Sequence, residues 1–289
     1  MNITQALKYG AEALGERGSN LDLEVVLAYV LELEKEDLVR EPEKKIDPYL
    51  LSVFKHYVVR LREGEPVAYM TGEKEFYGLS FFVDSRVLIP RPETEQIVDR
   101  VLDFLRARAE KLQKPYGFRL LDVGTGSANM PVAICRNFEE DLGYIDQFDA
   151  VEYSYDAIEV AKVNVGAHSL EDKVHVFQSD LLDFVSEGDR YDVIVANLPY
   201  IGEVENRFVS KDTEKFEPNV ALFGGHNGLE LYKKMFQQLC ERNIEFDLLI
   251  GEFGFAQGEA MSALLNKYFE HKWKIEKDLS GIERIFVVS

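Results

Sequence analysis

Cysteine is almost absent: Cys135 and Cys240 are the only two among 289 residues. They stand far apart, with no Cys-x-x-Cys pair and no histidine-rich neighbourhood, which argues against a disulfide framework and leaves no metal site to expect. Basic charge is short as well. Lys and Arg number 33 against 52 Asp and Glu, a net charge of −19, so nucleic-acid phosphates are repelled unless a local basic patch overrides the mean field. No such patch is visible. Arg106, Arg108 and Lys111 are interrupted by Glu110 and read as a solvated helix face, and nucleic acid is not expected as a partner. The chain also lacks an uncharged run long enough to span a bilayer. Its start, Met1-Asn-Ile-Thr-Gln-Ala-Leu-Lys, has neither the basic segment nor the long apolar core of a secretory signal. A cytoplasmic protein without a membrane partner is expected. The single tryptophan, Trp273, and the many phenylalanines carry no visible chemistry and read as core or surface filler.

What is present suffices for a sizeable core, 46% of residues being hydrophobic. From Ile3 to about Tyr69 apolar residues recur at helical spacing, as in Leu23, Val26, Leu27, Val30 and Leu31, then Leu50, Leu51, Phe54, Val58 and Leu61. This predicts a small helical domain over residues 1–72, with Asp22 as an N-cap and Pro42 and Pro48 punctuating the helices. Two extended runs, 76–83 and 86–90, flank Asp84-Ser85 and predict a β-hairpin acting as a linker over 73–94. Beyond it helices and strands alternate over 95–289. Strands are expected at 119–123, 149–152, 173–178, 191–196, 247–252 and 284–288, and helices from 94 to 112, from 130, and over 155–167, 228–241 and 258–269. Such alternation predicts an α/β fold with a mostly parallel sheet covered on both faces, whose ligands bind beyond the carboxyl ends of the strands.

The most distinctive segment falls at one such end. Asn197-Leu198-Pro199-Tyr200 follows the apolar run 193–196 and suits a planar amide: the Asn197 side chain can both accept and donate, the Pro199 carbonyl sits on a rigidified peptide, and Tyr200 can stack on a flat group. That pattern points to methyl transfer onto nitrogen, although Asn and Pro would equally serve an ordinary strand-ending turn. Leu120-Leu121-Asp122-Val123-Gly124-Thr125-Gly126-Ser127-Ala128 reads as a strand, a glycine loop and a helix start that a ligand can approach closely. A dinucleotide site would want a third glycine and a helix start facing a pyrophosphate, but Asn129 follows and Asp122 precedes the loop. A carboxylate there suits the ammonium and sulfonium of S-adenosylmethionine better than a phosphate. Glu152 ends the next strand, where a carboxylate accepts ribose hydroxyls. Asp180 ends a third, placed to take the exocyclic amine of adenine with the Leu181 backbone against the ring. The loop Gly224-Gly225-His226-Asn227-Gly228 reads either as a mobile rim or as a plain helix-start turn.

Taken together these segments resemble the HemK/PrmC family of protein-(glutamine-N5) methyltransferases over nearly the whole chain. The resemblance is carried chiefly by Tyr69-Met-Thr-Gly72-Glu-Lys-Glu75-Phe76-Tyr77-Gly78 and Val87-Leu88-Ile89-Pro90-Arg91-Pro92-Glu93-Thr94-Glu95. Phe216-Glu217-Pro218, Glu252-x-Gly254-x-x-Gln257-Gly258 and Asp278-Leu279-x-Gly281 with Arg284 add to it. It implies a Rossmann-like, seven-stranded class I methyltransferase domain preceded by a helical domain that helps dock class I peptide chain release factors. S-adenosylmethionine is implied as cofactor, and the glutamine of the release factor's Gly-Gly-Gln loop as substrate. Carried over by position, Gly124, Thr125, Gly126, Ser127 and Ala128 line the cofactor's methionine end, Glu152 takes the ribose, Asp180 and Leu181 border adenine, and Asn197, Leu198, Pro199 and Tyr200 clamp the glutamine amide. A monomer is expected.

Four departures from the family pattern stand out. Leu198 replaces the first proline of the usual Asn-Pro-Pro-Tyr, Ala128 replaces a glycine, Glu152 replaces the commoner Asp, and Asn219 falls where a basic residue is often found. The rivals are methylation of another protein glutamine, for example in a ribosomal protein, methylation of an adenine amine in nucleic acid, and a non-catalytic module that has kept the fold.

Overall fold

The structure, a computed structural model, describes residues 1–15, 19–112, 116–138, 144–203 and 210–289. Its backbone divides into two compact units, residues 1–73 with 211–216 and residues 74–210 with 217–289.

The first unit is helical: α1 (Ile3–Leu14), α2 (Asn20–Leu31), α3 (Lys35–Arg40), α4 (Pro48–Arg62) and α5 (Val67–Thr71). Local chemistry sets the starts. Asn2 and Gln5 form a reciprocal capping box on α1, and Asp47 caps α4 with Pro48 in its first turn. The cap of α2 is Ser19, and Asp22 is the third residue of the helix, its carboxylate reaching back to the Ser19 amide; the residue expected as cap is its partner. Leu23, Val26, Leu27, Phe54, Val58 and Leu61 are buried together, as their spacing predicts. Residues 211–216 join this unit, Lys215 donating to the Glu63 carbonyl at 3.1 Å.

The second unit opens with β1 (Glu73–Phe76) and β2 (Leu79–Phe82), a hairpin that turns at Tyr77-Gly78 on two positive φ angles, 52° and 71°. The turn expected at Asp84-Ser85 forms, with the Val87 amide donating to the Asp84 carbonyl at 3.1 Å and Arg86 locked on the Asp84 carboxylate, but it closes no hairpin, since residues 86–90 form no strand. From Lys74 onward the hairpin belongs to the second unit. There follow α6 (Glu95–Leu112), β3 (Gly117–Val123), α7 (Asn129–Asn137), β4 (Tyr144–Glu152), α8 (Tyr155–Ala167), β5 (Val174–Gln178), β6 (Arg190–Ala196), α9 (Lys211–Phe216, counted with the first unit), α10 (Asn219–Leu222), α11 (Glu230–Glu241), β7 (Glu245–Glu252), α12 (Gly258–Phe269), β8 (Trp273–Lys277) and β9 (Glu283–Val288).

The sheet has seven strands in the order β5-β4-β3-β6-β7-β9-β8, parallel from β5 to β7 and antiparallel at β9 and β8. Alternate residues of the central strands feed two cores. Leu120, Val193, Val195 and Ile250 face the core that includes residues of α6, α7 and α8, while Leu121, Ile194 and Leu249 face the one that includes residues of α11 and α12. Strand β8 is the element the sequence hides: Lys274, Glu276 and Lys277 interrupt its apolar pattern, and half-buried Trp273 and Ile275 pack it on the second core. The register aligns Asp122 with Val195 and Ala196 with Gly251, so the residues after β3, β4 and β6 and the last residue of β7 gather at one edge. Among the described residues no helix is long and apolar enough to cross a membrane.

Candidate active site

A cavity of about 370 Å³ opens at that edge, walled by the glycine loop, the ends of β4 and β5, the loop after β6 and residues 86–94. At its first end Gly124 and Gly126 take φ of 80° and 55°, and the Gly124 and Thr125 amides both donate to the Val151 carbonyl, tying the loop to β4. A side chain on Gly126 would strain that backbone. Glu152 lies in the wall. Its carboxylate accepts from the Gly126 amide and the Ser154 amide, each at 3.0 Å, which spends two of about four acceptor sites. Burial raises its pKa, opposed by those backbone donors. Asp180 and Leu181 also line the cavity, Leu181 at φ 55°. The Asp180 carboxylate is ion-paired with Lys234 of α11 at 2.6 Å, a wall residue with no motif to announce it.

Three residues expected in this wall lie outside it. Asp122 is fully buried and does not face the cavity, and neither of its oxygens has a hydrogen-bond partner among the described residues. Burial pushes its pKa from 3.8 to about 7, the nearby Thr125 hydroxyl opposing and the Glu152 charge adding. Ala128 is fully buried at φ 60° as the first cap of α7, and its methyl group joins the core beneath α6, α7 and α8. Tyr200 is the third. Its ring lies beside Gly254, where a β-carbon would come within 3.0 Å of it, and its hydroxyl donates to Glu252 at 2.9 Å. Stacking on a ligand inside this cavity is not the arrangement it shows.

The second end of the cavity is built around Asn197. Its Nδ2 donates to the Thr94 hydroxyl at 3.1 Å and to Glu252 Oε2 at 3.3 Å. Thr94 in turn donates to Glu252 Oε2 at 2.7 Å. The two acceptors stand side by side, so one N–H of Asn197 is shared between them and the amide nitrogen is turned to the Thr94–Glu252 side. That orientation turns the acceptor, Oδ1, away from the pair, in a residue that lines the cavity. Pro199 also lines the cavity, and its carbonyl rests against Gly224, where a β-carbon would stand 2.0 Å from the oxygen. Gly228 makes the same approach to the Tyr200 carbonyl at 2.1 Å, and Gln257 Nε2 donates to that carbonyl at 2.8 Å. The 224–228 segment thus backs the loop after β6; it is neither a free rim nor only a helix start.

Leu198 has its own support. Its side chain packs over Gly124, and its amide donates to the Tyr232 hydroxyl at 3.2 Å, which itself donates to the Glu252 carbonyl. A proline would lack that N–H. Buried Glu217 accepts from the Ile89 amide at 3.1 Å and from the Arg91 guanidinium at 2.5 Å, anchoring residues 89–91. Asn164 of α8, buried, pairs with both backbone groups of Phe82 and with the Ser127 carbonyl, and so braces the glycine loop on the hairpin.

Thr94, Glu252, Glu217, Lys234 and Asn164 carry no role in a reading of the sequence alone. For Glu252 a signal existed: it closes an apolar strand, as Glu152 does, and the same strand-end rule applies to both.

Comparison with known proteins places the chain in a family. Residues 5–72 match the PrmC N-terminal domain and residues 97–221 the methyltransferase small domain. The chain is 34% identical over 285 residues to a release factor glutamine methyltransferase of Bacillus subtilis (strain 168), covering 98% of this chain and 96% of that one. To its namesake in Bacillus anthracis it is 32% identical over 291 residues, covering 99% and 98%. Among solved structures, the hMettl16 catalytic domain in complex with a MAT2A 3'UTR hairpin shares the fold at TM-score 0.56 and 16% identity, over 77% of this chain and 80% of that one. The human methyltransferase 10 domain containing protein does so at TM-score 0.52 and 19% identity, over 74% and 89%. With near-complete coverage of both chains at this level of identity, the chain belongs to the release factor glutamine methyltransferase family.

Proposed function

We propose that the cavity transfers a methyl group from S-adenosylmethionine to the side-chain amide nitrogen of a glutamine in peptide chain release factors, that of their Gly-Gly-Gln loop. The observation that carries this reading is the Asn197 amide, whose nitrogen is held on Thr94 and Glu252 so that its oxygen, the acceptor, is the end turned from them in a residue that lines the cavity. Full-length likeness to relatives named for that reaction supports the choice of substrate.

The residues present suit the cofactor. Gly124 and Gly126 keep the loop free of side chains, Glu152 has acceptor sites left for vicinal hydroxyls, and Asp122 sets an unpartnered buried carboxyl group behind the loop, favourable to a cation. Glu152, Asp180 and the backbone of 124–127 would hold it. When bound, it supplies an electrophilic methyl group on a sulfonium.

The chain's own part is to aim the nitrogen. A primary amide presents two N–H groups and a delocalised lone pair; Asn197 Oδ1 accepts one hydrogen and the Pro199 carbonyl the other, so the nitrogen is held with its π face towards the donor. Fixing that geometry is worth several orders of magnitude in rate without a strong base, and the proton released after N-alkylation passes to solvent. Two acceptors also discriminate. A glutamate carboxylate in the same place would set oxygen against oxygen, an unpaired polar contact of the kind that separates isosteres by large factors. An adenine amine would satisfy the same acceptors, but a net charge of −19 opposes a nucleic-acid substrate.

Incubation with S-adenosylmethionine and unmethylated release factor, followed by peptide fragmentation in a mass spectrometer, tests the reading. One methyl group at the Gly-Gly-Gln glutamine is expected. Cofactor binding with no modification of the release factor would overturn it and direct the search to other protein glutamines.

A further inference from the structure

We propose that Glu252 is a positioning residue for the transfer: together with the Thr94 hydroxyl, its carboxylate holds the Asn197 amide in the one orientation that offers Oδ1 to the substrate. This rests on the reading above and deepens it.

The two ends of an asparagine amide are nearly the same shape, so packing alone does not decide which faces a ligand. Here hydrogen-bond chemistry decides. Glu252 is 1% exposed at the end of β7, and three donors converge on its carboxylate: Thr94 Oγ1 at 2.7 Å, Tyr200 Oη at 2.9 Å and Asn197 Nδ2 at 3.3 Å. An ionised carboxylate accepts only. The single hydrogen of Thr94 is spent on Glu252, so the Thr94 oxygen facing Asn197 can only accept as well. A turned amide would press Oδ1 against two oxygens in a buried site and offer the substrate a donor where its own N–H arrives. Arg284, the cation whose charge acts on Glu252, has its Nε engaged by Asp278 at 2.9 Å. Burial raises the pKa of Glu252, and the Thr94 and Tyr200 hydroxyls and Arg284 counter it, consistent with donors gathered to support charge. The same carboxylate holds the Tyr200 hydroxyl, so both side chains of the loop that end in hydrogen-bonding groups are referred to one point on β7.

The test measures kcat and KM for unmethylated release factor, and S-adenosylmethionine affinity by calorimetry, on the full-length wild type and on E252Q, T94V, N197A and the doubles N197A/E252Q and N197A/T94V. A glutamine at 252 brings a donor into a set of donors and frees the Asn197 amide to turn. E252Q is expected to lower kcat by about ten- to a hundredfold and T94V by about tenfold, in line with the cost of small misplacements, with cofactor affinity within about twofold of wild type. In the N197A background neither substitution is expected to lower kcat further, because residues acting through one another are not additive. Wild-type kcat in E252Q and T94V, or losses that simply multiply with that of N197A, would overturn the role. Should E252Q fail to fold, T94V and its double decide alone, since they keep the carboxylate. Absence of transfer by the wild type would overturn the proposed reaction and this role with it, whereas wild-type transfer with unaffected variants overturns only the role.

Discussion

Asp122 stands one residue before the end of β3 and Glu252 ends β7, the strands on either side of β6, and both carboxyl groups are buried, yet the protein treats them in opposite ways. Glu252 gathers three side-chain donors, whereas Asp122 has only the Thr125 hydroxyl near it and makes no hydrogen bond of ordinary length among the described residues. A buried carboxylate whose acceptor sites are filled by the protein fixes its neighbours in place. One whose sites are open costs stability and puts a field where a ligand binds. On the proposed reading the site uses the same group in two ways: order beside Asn197, attraction behind the glycine loop.

The comparison breaks first at Asn197. If the β7 side of the site is there to order an acceptor, removing that acceptor costs turnover and spares the cofactor. N197A is expected to lose about a hundredfold or more in kcat, while calorimetric affinity for S-adenosylmethionine stays within about threefold of wild type. A variant with normal turnover, or one that loses cofactor binding in proportion to rate, would remove the division of labour between the two ends.

Asp122 gives the next largest effect, and its sign is opposite for binding and for stability. Its pKa stands near 7 in the folded protein against an ordinary 3.8. Between those values the folded state binds more protons than the unfolded state, so its contribution is present in full below about pH 4 and is lost as pH rises through 7. D122N removes the titration. Unfolding in denaturant at pH 5 and pH 8 is expected to show the variant gaining on wild type as pH rises, by on the order of a few kcal/mol across the window, while its affinity for the cationic cofactor falls about tenfold, the scale of a hydrogen bond or field term involving a charge. A variant no more stable than wild type at pH 8 would mean that the carboxyl group is not left open in solution.

These two residues also show what the sequence discloses. Strand ends, the glycine loop and Asn197 are legible because each rests on local pattern: an apolar run, then a residue type with one evident use. Helices over 155–167 and 258–269 were legible for the same reason, their periodicity being long and uninterrupted. The network on Glu252 was not, because it joins residues 94, 197 and 252 through contacts that span up to 158 positions, and no spacing rule encodes such a meeting. The same holds for Glu217 on residues 89–91 and for Lys234 on Asp180. The hairpin turn was misplaced because Tyr77 adopts a positive φ that its side chain disfavours, whereas Asp84-Ser85 has the composition of a turn. By position in the family pattern Ala128 is a cofactor contact, but the left-handed backbone that a glycine would favour there buries the methyl group under α7.

That burial supports the smallest prediction, at the end of the cavity where order comes from backbone rather than from a carboxylate. At φ 60° and ψ 25° an alanine carries a penalty of about 1 kcal/mol that glycine does not. Replacing it with glycine removes a methyl group from the core, at about 1 kcal/mol, and adds entropy to the unfolded chain, at roughly 0.5–1 kcal/mol. The terms nearly cancel, so A128G is expected to shift stability by less than about 1 kcal/mol, in the destabilising direction. Cofactor affinity should stay within about twofold of wild type, since the methyl group does not reach the cavity wall. Calorimetry and denaturant unfolding on the one variant read both quantities. A large gain or loss in affinity would place Ala128 back in the wall and show that the loop takes another path once the cofactor is bound, whereas unchanged affinity with a small loss of stability leaves the glycine loop as a backbone device that tolerates this alanine from behind.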